Sequence, residues 1–169
     1  MIKKSLASGL LIVMSSQLFA QDMTYVRAGQ MIDVVDGRMR SDQVIVINGD
    51  RIERVGSGIA VPAGANVIDL SDATVLPGLI DMHVHLTGDP DAQGYANLAA
   101  SVPRNALFGV ANGRRTMNAG FTSVRNVGGG GYADVALRDA IEHGDVVGPR
   151  MRVSGPSLGI TGGHCDNNL

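Results

Sequence analysis

The stretch that most limits what this chain can become is Pro77-Gly78-Leu79-Ile80-Asp81-Met82-His83-Val84-His85. Pro77-Gly78 breaks the segment before it, and the residues after it read as a short strand. Side chains alternate along a strand. Leu79, Asp81, His83 and His85 are therefore expected on one face, and Ile80, Met82 and Val84 on the other. Two imidazoles at i and i+2 can converge on one ion above the strand. The same pair can also form a half-exposed polar face or hydrogen-bond into a core, and the His-x-His spacing alone does not separate these readings.

Beyond Pro77 the chain alternates between two periodicities. Residues 95–118 read as helix, with Pro103 starting or kinking it and Gly120 ending it. Phe121-Thr122-Ser123-Val124-Arg125 reads as a strand, and residues 128–131 as a glycine loop. Residues 133–143 read as an amphipathic helix with Val135, Ala136, Ala140 and Ile141 inward, stopped by Gly144. Arg150-Met151-Arg152-Val153-Ser154 is a third strand. Strand, helix, strand, helix, strand is the signature of an α/β architecture with parallel strands. Functional residues then belong at the C-terminal strand ends. His83 and His85 end the first strand, Arg125 and Asn126 the second, and His164 lies in the loop beyond the third.

The residues before Pro77 have another character. Short β-rich runs are punctuated by turn signals at Asp36-Gly37 and Asn48-Gly49, with a hairpin expected across the second. Residues 65–70 and 73–76 read as two further strands, so residues 21–76 are expected to form a small antiparallel β unit. The first twenty residues read as a secretory signal peptide: Lys3 and Lys4, an apolar stretch too short to span a bilayer, and a cleavage site after Ala20. An amphipathic N-terminal helix is the alternative. Cleavage there implies a periplasmic or secreted location without a stable membrane anchor. Cys165 is the single cysteine, so no internal disulfide can form. Aromatics are 4% with no Trp, and the net charge is −2, a composition poorly suited to stacking on or neutralising nucleic acid.

Three segments together resemble the metal-dependent amidohydrolase superfamily, in the branch of imidazolonepropionase-like enzymes and Xaa-Pro dipeptidases. They are Pro77 through His85; Ala119-Gly120-Phe121-Thr122-Ser123-Val124-Arg125-Asn126-Val127-Gly128-Gly129; and Gly148-Pro149-Arg150-Met151-Arg152-Val153-Ser154-Gly155 with Ile160-Thr161-Gly162-Gly163-His164. The resemblance implies a (β/α)8 barrel preceded by a β-sandwich segment. It implies that His83 and His85 are metal ligands, that one or two divalent ions (zinc above all) serve as cofactor, and that the substrate is a small molecule or peptide cleaved at a C–N bond. It further implies a bridging lysine, two more histidines and a catalytic aspartate on later strands, and allows a homo-oligomer. A divalent ion lowers the pKa of its water toward ~7 and polarises the scissile carbonyl. A complete barrel needs ~250 residues. The chain is therefore expected to be the N-terminal part of such an enzyme: residues 1–20 leader, 21–76 β-sandwich segment, 77–169 incomplete barrel. No catalytic residue is expected within it, the base lying past Leu169, and the isolated chain is expected to be inactive. Asn126 stands where many members carry Asp, and Cys165 where members commonly carry Gly.

Other candidates carry less. Asp81 is expected to support a ligand or the barrel floor, Arg125 to pair with a carboxylate, and His164 to help position substrate or to be a solvated loop residue. Gly128 to Ala133 matches the dinucleotide pattern G-x-G-x-x-A, but the next strand ends in Ser154-Gly155 rather than an acid for the ribose. His164-Cys165-Asp166 are adjacent and so poorly placed to form a relay. A non-catalytic βα fragment binding a small ligand or a single metal is the alternative function.

Overall fold

The computed structural model describes residues 23–92, 96 and 99–165. The leader expected over residues 1–20 lies outside them, as do Tyr95 at the start of the first expected helix and Asp166. The chain divides into two compact units at Leu76–Pro77.

The first unit is one four-stranded sheet. Its strands are β1 (Met23–Asp33), β2 (Arg38–Asn48), β3 (Arg51–Ser57) and β4 (Asn66–Val75), in the order β3-β2-β1-β4. The β2–β3 hairpin forms where the Asn-Gly signal placed it. Asn48 pairs with Arg51, and Gly49 adopts φ +58°, a conformation that glycine reaches without steric cost. At the β1–β2 turn the Asp33 carboxylate accepts the Val35 N–H at 3.0 Å, and Arg40 reaches both Asp33 (3.2 Å) and Asp36 (2.6 Å). Val46 is fully buried, with Tyr25, Val26, Ala28 and Ile45 beside it.

Two expectations for this unit are corrected. The segment is not an antiparallel unit: β1 pairs antiparallel with β2 but parallel with β4, which makes the sheet mixed. The two runs at 65–70 and 73–76 are also one strand, β4, continuous through Ser71-Asp72. Pairing along β1 and β4 slips between Ala28 and Gln30, and there the Ser71 carbonyl lies where a side chain on Gly29 would stand. Glycine permits that backbone approach and lets β4 carry its polar residues through the irregularity. A sandwich needs a second sheet facing the first, and among the described residues this unit contributes one sheet.

The second unit is a three-stranded parallel sheet, β5 (Leu79–Val84), β6 (Phe121–Asn126) and β7 (Arg150–Val153), in sequential order. Helix α1 (Val102–Asn118) connects β5 to β6, and α2 (Ala133–Glu142) connects β6 to β7. This is the α/β alternation expected from the two periodicities. Ser101 caps α1 by accepting the Arg104 N–H at 3.4 Å, and Pro103 occupies the first turn, where its missing N–H costs nothing. Leu86, Val124, Leu137 and Met151 form the core, with Val84, Val110, Ile141, Val146 and Val153 packed on it. Burying each such side chain contributes about 1.5–3 kcal/mol.

The inward face of α2 is rotated from expectation. Ala133, Asp134 and Leu137 are buried and Ile141 is half-buried, whereas Ala136 is exposed. Asp134, absent from the expected inward set, is buried because it finds polar partners inside.

Candidate metal centre

The C-terminal end of β5 positions the histidines. Val84 pairs with Asn126, and its carbonyl accepts the Val127 N–H at 3.0 Å, so β5 remains clamped to β6 at its last residue. Val84 packs into the core, and alternation turns His83 and His85 to the opposite, exposed side. Their ring centroids are 5.5 Å apart at an interplanar angle of 68°. Imidazoles so arranged can direct one nitrogen each toward a shared point. Neither ring hydrogen-bonds to another described residue, which leaves their lone pairs available. The His85 ring runs beside Gly128: a Cβ placed there would lie 3.5 Å from Nδ1.

Strict alternation over the whole strand does not hold. The β5–β6 register slips between Asp81 and Val84, three steps on β5 matching two on β6. Within the slip the Asp81 carboxylate accepts the His83 N–H at 3.0 Å. Asp81 therefore holds the backbone of a candidate ligand, not its ring. Arg125 donates from Nε to the Met82 carbonyl at 2.7 Å, bracing the same irregular segment from β6. His164 is exposed in the loop after β7. Among the described residues no three His, Cys, Asp or Glu side chains gather closely enough to hold an ion. The structure thus brings His83 and His85 together and adds neither Asp81 nor His164 as a third donor.

Behind the imidazoles lies a buried polar cluster. Asn126 is fully buried; its Oδ1 accepts the Leu86 N–H at 2.7 Å, and its Nδ2 donates to the Gly128 carbonyl (2.9 Å) and to the Asp134 carboxylate (3.3 Å). Asp134, equally buried, also accepts the Gly155 N–H at 3.1 Å. Asn112 of α1 donates to the Leu86 and Gly88 carbonyls at 2.8 and 2.9 Å. The loops after all three parallel strands are thereby tied to one another directly beneath His85. Asn126 stands out in the sequence for its identity alone, and Asp134 and Asn112 do not stand out at all. Their only sequence signal is a polar residue interrupting an apolar helical face, which is too common to be diagnostic.

A sequence profile described as the Amidohydrolase family matches residues 74–169. Over 151 residues the chain is 32% identical to an ochratoxinase of Aspergillus niger, covering 85% of this chain and 30% of that protein. Over 99 residues it is 37% identical to a dihydroorotase of Geobacter sulfurreducens, covering 59% of this chain and 20% of that protein. In the crystal structure of a Xaa-Pro dipeptidase with methionine bound in the active site, 37% of the dipeptidase superposes on 87% of this chain, with a TM-score of 0.80 at 37% identity. The chain therefore spans about a third or less of the length of the curated relatives it matches.

Proposed function

The chain belongs to the amidohydrolase family, and from that premise we propose that it forms the N-terminal part of a metal-dependent hydrolase of C–N bonds, with His83 and His85 as two of the metal's ligands. The observation that carries the reading is the imidazole pair, 5.5 Å apart on the exposed side of β5, at the C-terminal end of a parallel sheet. A borderline-soft ion such as zinc suits two neutral imidazoles. When bound, such an ion supplies an acidified water and a Lewis acid for an amide carbonyl. The relatives include a Xaa-Pro dipeptidase and a prolidase in complex with N-methylphosphonate-L-proline, both named for peptide substrates, which supports amide or peptide bonds as the target. The incomplete (β/α)8 barrel over residues 77–169 and the β-sandwich segment over 21–76 belong to this same reading. So does export through the leader at residues 1–20.

The chain's own residues have definable tasks here. Asp81 and Arg125 fix the backbone at residues 82–83, and the cluster of Asn126 and Asp134 fixes the backbone just after His85. The backbone that carries the two rings is thus restrained at both ends. Two donors make a weak site, since zinc sites ordinarily use three or four protein ligands. Zinc titration of the chain, followed through the imidazole NMR resonances, tests this reading. We expect shifts at His83 and His85, none at His143, and a loss of affinity of about tenfold or more in His83→Ala and His85→Ala. Unchanged affinity in both variants would overturn the assignment.

A further inference from the structure

Gly128 is held to glycine by space rather than by backbone conformation. Its φ lies outside the left-handed region that favours glycine, so any residue could adopt it. A side chain there would nevertheless have no room. A Cβ on Gly128 would collide with the Ser157 hydroxyl oxygen and touch the Nδ1–Cε1 edge of His85, at 3.5 and 3.6 Å. Three loops therefore converge on one point. The loop after β5 brings the imidazole, the loop after β6 the glycine and the loop after β7 the hydroxyl. Each is fixed by bonds of its own. The Val84 carbonyl accepts the Val127 N–H at 3.0 Å, so His85 and Gly128 leave β5 and β6 side by side. The Gly128 carbonyl accepts Asn126 Nδ2 at 2.9 Å. Gly155 donates its N–H to Asp134 at 3.1 Å, and its carbonyl accepts the Gly129 N–H at 2.8 Å. Its φ of +69° turns the chain after β7, and the ring of Pro156 fixes the next φ. Ser157, half-buried, thus hangs from a rigid root two residues away. Every one of these contacts lies between residues 84 and 157.

We propose that Ser157 is a positioning residue for His85: its hydroxyl accepts the Nδ1 proton of the imidazole, across a gap that only glycine at 128 leaves open. The hydroxyl reaches that proton by turning about its one side-chain torsion or through a bridging water. A hydrogen bond at one ring nitrogen decides which nitrogen carries the proton and which offers its lone pair. With the proton on Nδ1, the lone pair sits on Nε2, the nitrogen farther from Gly128. A ligating imidazole whose second nitrogen donates to an oxygen is fixed in tautomer and in ring plane. Asp81 and Arg125 restrain the backbone of this segment, and Ser157 acts on the ring itself. The consequence for a metal rests on the reading of His83 and His85 as ligands. The contact between hydroxyl and ring does not.

The test is nitrogen-15 NMR of the imidazole rings in the zinc-free chain at about pH 8, above the ordinary histidine range. The two ring nitrogens of a neutral imidazole differ in chemical shift according to which holds the proton. We expect the proton of His85 mainly on Nδ1. Ser157→Ala should lower its Nδ1–H to Nε2–H ratio about threefold or more, with His83 unchanged as the internal control. Ser157→Thr, which keeps a hydroxyl, should restore the ratio. Gly128→Ala should lower it as Ser157→Ala does, because the new methyl group displaces the hydroxyl while leaving it in the chain. Zinc affinity should fall about tenfold in Ser157→Ala and recover in Ser157→Thr. A proton found on Nε2 in the parent chain, or a ratio that Ser157→Ala leaves unchanged, overturns the inference even if zinc binds. An altered ratio with undiminished zinc affinity overturns the positioning role. A parent chain that binds no zinc, with the ratio still dependent on Ser157, overturns the metal assignment and leaves the contact standing.

Discussion

Replacing Asn126 with Ala should disable the second unit more than its modest size suggests. Its side chain carries three hydrogen bonds from a fully buried position. Truncation leaves the Leu86 N–H buried without a partner, at a cost of about 1–3 kcal/mol, and removes a donor from the buried Asp134 carboxylate, worth about 1.5–3 kcal/mol. The Gly128 carbonyl is only part-buried and can turn to water, so it adds little. The total is about 2.5–6 kcal/mol, against a whole-domain stability of about 5–15 kcal/mol. With a urea slope of about 2 kcal/mol per M, the midpoint should fall by about 2 M. The assay is urea unfolding followed by NMR at the Val124 and Met151 amides, which report the second unit alone, together with hydrogen exchange at Leu86. Asn112→Ala is the internal comparison. It strips a donor from two carbonyls, Leu86 and Gly88, at a part-buried site, and should cost about 1 kcal/mol. If Asn126→Ala costs no more than Asn112→Ala, or if Leu86 keeps its exchange protection, the cluster does not hold the loop beneath His85.

Two further outcomes concern the first unit. Gly29→Ala drives a methyl group into the Ser71 backbone, which cannot rotate away as a side chain could, so β1 and β4 must separate locally. We expect a loss of about 1–3 kcal/mol, read as a lowered midpoint at the Val26 and Ile45 amides, and an unchanged midpoint would refute the close approach. Asp33 is held below its ordinary value of 3.8, first by the Val35 N–H and then by Arg40. A carboxyl depressed in the folded state stabilises above its unfolded pKa and loses that contribution as pH falls through the lower folded value. Asp33→Asn should therefore be less stable than the parent at neutral pH, with the gap closing as pH drops below about 3.8. A gap of constant size between neutral and strongly acidic pH would refute the linkage.

Much of the molecule is legible from neighbouring residues alone. The hairpin at Asn48-Gly49, the βαβαβ order after Pro77, the end of α1 before Gly120 and the imidazole pair at the end of β5 all arise from signals a few residues long. Turn glycines, caps and alternation act through local sterics and hydrogen bonds, so the sequence alone determines them. Tertiary structure decided whatever depends on which distant residue stands opposite. The parallel pairing of β1 with β4, three strands further along the chain, turned an expected antiparallel unit into a mixed sheet. The slip between β5 and β6 redirected Asp81 to a backbone amide. Asp134 is buried because Asn126 and Gly155 meet it there, which reverses what helical periodicity assigns to a carboxylate. Arg125 and Arg152 become neighbours only through the register of β6 against β7. Register is a property of two strands at once, set by the packing that joins them, and neither strand's own sequence contains it.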